Sequence, residues 1–303
     1  MALAGCGGEG GGGRREFLSL GTAGTGGIYY PLGGAITSLL SVGDTLRQYT
    51  AEVTGGSVEN VNRLREEQID LGFALAVSIF EAFSGGEDYG EPFESLRVVA
   101  PLYANMVHIL VPRGSSATSL GDLAGARISV GAAGSGTEEV ARQLLGVYGL
   151  SYADVDARFL TFSESSASLR DGAIDAAIIS VGYPAAAVLE ATTTGGARLI
   201  PFEPDRVEAL QERFPYYSPG VIPVGAYPGI ETDVTTVAMM NWIVAREDLD
   251  RAVVTRLLDT LRDEKETLAR VHEMAGQIDL GTLIDAPIPL HPATEAWRAG
   301  AGG

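Results

Sequence analysis

Two hydrophobic rhythms alternate along the chain. Residues 17–20 form a short apolar run, residues 48–53 alternate like a half-buried strand, and "IDLGFAL" at 69–75 is apolar enough for a fully buried one. Residues 29–40 and 58–67 repeat apolar positions at helical spacing, with Pro31 acceptable in a first turn. Strands are predicted again at 98–103 and 108–111. In the second half the order recurs: a strand within "SLGDLAGARISVG", an amphipathic helix at 138–148, a strand at 157–162, a helix at 163–171 and the buried strand "IDAAIIS". A strand at 235–245 precedes one long helix from residue 246 to 275, with Leu249, Val253, Leu257, Leu261 and Leu268 as its apolar stripe. The closing "APIPLHPATEAWRAG" reads as a proline-rich loop. Alternating helix and strand periods predict an α/β fold with mostly parallel sheets.

Two punctuations interrupt this rhythm in the same way. "GTAGTGG" at 21–27 and "GAAGSGT" at 131–137 each stand between a strand and a helix. Such a corner exposes first-turn N–H groups at the positive end of a helix dipole, which makes an anion site that needs no basic side chain. Thr22, Thr25, Ser135 and Thr137 add hydroxyls. Two corners, one in each half of the chain, predict a shared cleft that grips a small ligand.

Composition narrows the partners. Of 303 residues 46% are hydrophobic, enough for a large core and about two domains. The 21 basic residues against 39 acidic ones leave a net charge of −18, which repels phosphate backbones, so nucleic acid is not an expected partner. No uninterrupted apolar stretch reaches the roughly 18–20 residues of a membrane helix. The single cysteine, Cys6, sits in "LAGC", which resembles the lipobox of bacterial lipoproteins; the glycines after it suit a flexible tether, with the acyl chain as the only expected membrane contact.

Catalytic signatures fit poorly. The first corner lacks the third glycine of a dinucleotide fingerprint, and neither corner has the lysine of a phosphate-binding loop. A hydrolase elbow would need glycine in place of Ala133. His108, His272 and His291 show no metal-ligand spacing and are read as packing or surface residues. The expectation is a binding protein without cofactor, metal or catalysis.

The stretches "GTAGTGGIYYPLGG", "LRVVAPLYANMVHILVPR", "SLGDLAGARISVGAAGSGTEEVARQLL", "LRDGAIDAAIIS", "FPYYSPGVIPVGAYPG" and "PIPLHP" come in the order of one known family. Across nearly all of residues 17–297 the chain resembles a TAXI-type solute receptor, the extracytoplasmic binding subunit of a class of TRAP transporters. The resemblance implies a type 2 periplasmic-binding-protein-like fold whose two α/β lobes close like a jaw. Residues 1–16 would be the tether, 17–107 with 226–303 lobe one, and 108–225 lobe two. The implied partners are a small organic acid or amino acid and the TRAP membrane subunits. The implied location is extracytoplasmic, lipid-anchored through Cys6. The implied ligand-binding residues are Thr22, Ala23, Gly24, Thr25 and Tyr29 at the first corner, Gly134, Ser135, Gly136 and Thr137 at the second, and Ser180 and Tyr183 on a third wall. Where relatives carry a polar Gln-Ser-Asp loop, this chain has Leu75, Ala76 and Val77, and Ala185 replaces a common Asn. Leu75 and Ala76 are therefore expected to give an apolar wall, and the ligand to be a carboxylate with a less polar body than glutamate. Rival readings are the binding protein of an ABC importer or sensor system, and a dinucleotide-using enzyme.

Overall fold

The computed structural model describes residues 15–86 and 89–301. Cys6 and most of the expected tether lie outside the described residues.

Two copies of one βαβαβ unit build the molecule. The first runs β1 (Glu16–Gly21), α1 (Tyr29–Ser41), β2 (Arg47–Glu52), α2 (Ser57–Arg65) and β3 (Leu71–Leu75). After α3 (Ala76–Ser84) and β4 (Leu96–Pro112), the second runs β5 (Arg127–Ser129), α4 (Gly136–Val147), β6 (Asp156–Arg158), α5 (Phe162–Arg170) and β7 (Ala176–Val181). There follow α6 (Ala186–Thr193), β8 (Ala197–Ile200), α7 (Pro204–Arg213), β9 (Ser218–Ile222), β10 (Val234–Arg246), α8 (Arg251–Asp263), α9 (Lys265–Val271) and α10 (Pro292–Ala301).

Strand order explains how the units meet. One ten-stranded sheet runs β2-β1-β3-β10-β4-β7-β5-β6, with β8 on β4 and β9 on β10. The triplets β2-β1-β3 and β6-β5-β7 are parallel. Between them the long strands β10 and β4 run antiparallel to each other and to their inner neighbours, β3 and β7. Each half therefore reads triplet plus one long strand, in mirrored order. Because right-handed crossovers place helix N-termini at the carboxyl ends of parallel strands, the corners of both triplets can face the crevice between them.

The core occupies both faces of this sheet. Alternation along the long strands sends Val98, Ile109 and Trp242 into one buried cluster and Val99, Leu110 and Ile243 into the other. Each cluster draws on both halves.

Several elements differ from the sequence expectation. The expected strands at 98–103 and 108–111 are one 17-residue strand, β4, continuous through Ala104 and Asn105. The long helix from 246 breaks at Glu264 into α8 and α9 and then passes into 3-10 turns. The supposed C-terminal loop contains α10, which starts at Pro292, anchors Thr294 Oγ1 on the Val99 carbonyl (3.0 Å) and Trp297 Nε1 on Asp259 (3.0 Å). Proline fits a first helical position, where its missing N–H has no intrahelical partner to lose.

Candidate functional site

The two glycine corners open on one hollow. A cavity of about 260 Å³ lies between the triplets, lined by Ala23, Gly24, Thr25 and Tyr29 of the first corner and by Ser135, Gly136 and Thr137 of the second. Leu75 and Ser180 complete the group of expected residues on it.

Four expected residues lie off this lining. Thr22 is fully buried behind it, its Oγ1 donating to the Glu52 carbonyl (2.6 Å), so the hydroxyl knits β1 to β2. Ala76 is buried as the first residue of α3. Leu75 and Ala76 thus end a strand and begin a helix, and Leu75 alone reaches the cavity. The Gly134 carbonyl accepts the Glu59 N–H at 3.0 Å, which ties the second corner to α2. Tyr183 packs, half-buried, against the core.

The sequence reading missed a second pair of corners. Gly55, Gly56 and Ser57 before α2, and Thr161, Phe162 and Ser163 at the start of α5, also line the cavity. By the repeat, α2 corresponds to α5 as α1 corresponds to α4, so four helix N-termini converge on one space. The signal for α2 was a third glycine pair, Gly55-Gly56; for α5 it was the capping pair Thr161 and Glu164, whose side chain and backbone bonds are reciprocal.

The lining is uncharged. It consists of glycines, hydroxyl residues, Asn105 and the apolar or aromatic Ile28, Tyr29, Val53, Leu75, Tyr103, Phe162 and Val181. First-turn amides supply partial positive charge, and the low-dielectric surroundings strengthen it.

Beneath the cavity a buried polar chain links the halves. Tyr29 Oη donates to Asn241 Oδ1; Asn241 Nδ2 donates to the Tyr103 carbonyl (2.8 Å) and to Asn105 Oδ1 (2.8 Å); Asn105 Nδ2 donates to the Ser180 carbonyl (2.9 Å). The chain passes from α1 through both long strands to β7. Nearby, His108 donates from Nδ1 to the Met106 (3.0 Å) and Ile179 (3.3 Å) carbonyls, while Nε2 faces the Tyr227 hydroxyl at 3.0 Å. Tyr227 Oη accepts the Ala185 N–H at 3.1 Å and so holds the turn after β7. Burial drives the His108 pKa down to about 4, so this bridge is built on a neutral imidazole.

The halves also touch directly around the cavity. A Cβ at Gly26 would stand 2.6 Å from Ser163 Oγ, and one at Gly136 would stand 2.8 Å from both Leu75 Cδ1 and Ser57 Oγ. Across the rim Ser78 donates to the buried Glu139 carboxylate.

Two α/β halves, twin crossing strands and an interlobe cavity ringed by helix N-termini define the two-lobed fold of extracytoplasmic solute-binding proteins. The chain belongs to the NMT1-like family, which its residues 20–298 match. Its structure is similar to that of a protein from Bordetella bronchiseptica RB50 (TM-score 0.59, 14% identity, 95% of this chain and 98% of that one). It is also similar to PhnD1 from Prochlorococcus marinus MIT 9301 in complex with methylphosphonate (0.56, 14%, 86% and 90%) and to the alkanesulfonate-binding protein SsuA from Xanthomonas axonopodis pv. citri bound to MOPS (0.50, 17%, 95% and 92%). At these identities the likeness establishes the fold.

Proposed function

We propose that this chain is an extracytoplasmic receptor that captures a small organic acid between its lobes and delivers it to the membrane subunits of a TRAP-type transporter. The observation that carries the reading is the convergence of four helix N-termini on one uncharged cavity. Amides and hydroxyls can hold a carboxylate there, as helix termini hold anions elsewhere. The aromatic and aliphatic lining, with Leu75 where relatives are polar, favours a less polar body than that of glutamate. Residues 17–107 with 226–303 serve as one lobe and 108–225 as the other, flexing through β4 and β10. Cys6 serves as the acylated anchor. The chemistry is binding alone, with no reaction step.

An ABC importer's binding protein is the second reading, favoured by the name of a further structural neighbour, the substrate binding protein of an amino acid ABC transporter. Membrane subunits encoded beside the gene separate the two.

Native purification followed by mass spectrometry identifies the released small molecule and whether Cys6 is acylated. Calorimetric titration then compares carboxylates with an alkylsulfonate, an alkylphosphonate and glutamate. We expect an apolar carboxylate to bind at least about tenfold tighter than glutamate, from one or two polar groups left without partners at about 1–3 kcal/mol each. Tight glutamate binding sinks the apolar-body reading, and binding of no anion sinks the receptor reading.

A further inference from the structure

One wall of the cavity continues outward as a seam between the two halves. Leu75, the last residue of β3, and Gly136, the first of α4, meet on that wall. About one helical turn beyond them stand Ser78 on α3 and Glu139 on α4. Glu139 is only 3% exposed, and each of its carboxylate oxygens accepts a hydroxyl from the first half: Oε2 from Ser78, and Oε1 from Tyr89 at 3.1 Å. Tyr89 is held on its own side, because its carbonyl accepts from Arg65 of α2.

A second rung lies one turn further along both helices. Gln143 of α4 donates from Nε2 to Tyr216 Oη (2.9 Å) and accepts from Tyr217 Oη at Oε1 (2.8 Å). Tyr216 Oη donates to Glu81 Oε1 of α3 (3.4 Å), and the Phe80 ring of α3 stands 5.7 Å from the Tyr216 ring. Residues 78, 80, 81 and 89 fall in the 17–107 lobe, and residues 139, 143, 216 and 217 in the 108–225 lobe. None of them lines the cavity.

A carboxylate stripped of water is costly unless hydrogen bonds replace that water. When the lobes part, Glu139 returns to solvent and needs no protein donor. When they close, it must find Ser78 and Tyr89 in place. The contact therefore weighs on closure and not on the folding of either lobe. Resting on the reading of the chain as a two-lobed receptor that closes on its ligand, we propose that Glu139 is a positioning residue. Without touching the guest, it forms with Ser78 and Tyr89 an interlobe latch that sets how tightly the closed cavity holds it.

Ser78→Ala tests the latch, because it leaves the buried carboxylate one donor short. Isovalerate, glutamate, ethanesulfonate and methylphosphonate are titrated calorimetrically into the full chain freed of co-purified ligand. The tightest binder is then titrated into Ser78→Ala, Glu139→Gln and the double variant, and each ligand-free protein is melted. We expect Ser78→Ala to weaken binding at least about tenfold, the scale of a hydrogen bond to a charged group. In the Glu139→Gln background the same change should cost only about threefold, since a neutral amide is being deprived. The ligand-free melting temperature of Ser78→Ala should match that of the parent. Unchanged affinity in Ser78→Ala, or equal losses in the two backgrounds, overturns the latch. So does a ligand-free melting temperature that falls along with affinity, which would mean that the seam stays shut without a guest. Each of these outcomes leaves the receptor reading standing, because the parent still binds; if none of the four anions binds the parent, that reading falls and this inference with it.

Discussion

His108 shows how one residue's surroundings fix its charge. Both partners of Nδ1 are carbonyls, which only accept, so Nδ1 carries the proton and Nε2 accepts from Tyr227. Protonating Nε2 would place a charge in a fully buried site and cost the Tyr227 bond. The unfolded chain takes up that proton near pH 6.5, the folded protein only near pH 4. Stability from this residue is therefore complete above about 6.5 and lost as pH falls toward 4. At pH 5 the loss is about 2 kcal/mol relative to pH 7. His291, whose pKa burial also lowers, adds in the same direction. Urea unfolding at the two pH values checks this, and in His108→Gln the difference should shrink to the part His291 supplies. An undiminished difference in that variant would mean that His108 is not the group titrating.

At the scale of elements, the site depends on close approach between helix starts of opposite halves. The Cα of Gly136 stands so near the α2 corner that an added Cβ would lie 3.0 Å from Ser57 Cβ. Leu75 Cδ1 can swing aside, but Ser57 is fixed in its own helix. Alanine is itself favourable in a helix, so Gly136→Ala should leave folding stability within about 1 kcal/mol of the parent. Closure must then stop a few tenths of an ångström short, and ligand affinity should drop at least about tenfold, the scale of one or two lost polar contacts. Calorimetry beside a thermal melt separates the effects; unchanged affinity would show that this contact does not limit closure. What was legible from the residues follows the same geometry. Glycine runs at 21–27 and 131–137 announced α1 and α4, and the repeated "ID" announced the two buried strands β3 and β7. Polar or proline positions misled where tertiary bonds absorb them. Asn105 reads as a strand break, yet its amide is satisfied by Asn241 and Ser180 inside β4. Thr22 reads as a ligand hydroxyl, yet the Glu52 carbonyl had claimed it. Phe162 and Ser163 carry no glycine, so the α5 corner left no mark of the expected kind.

For the whole molecule, a net charge of −18 opposes the capture of the anionic ligand we propose for the cavity. The two fields differ in range. Helix-terminus amides act within about a turn of the site, whereas the net charge acts over a Debye length, about 30 Å at 0.01 M salt and 8 Å at 0.15 M. For a globule of this length, with a radius of gyration of about 19 Å, the repulsion at the surface is about 1–2 kcal/mol at the lower salt and less than about 1 at the higher. Association should therefore speed up with salt, by roughly three to fivefold between these conditions, while dissociation from the enclosed cavity barely changes. That sign is opposite to the usual steering of anions into basic clefts. Stopped-flow fluorescence can follow it if binding perturbs the tyrosines of the lining. An association rate that instead falls with salt would mean that the mouth focuses a positive potential outward, and that the helix termini govern encounter as well as binding.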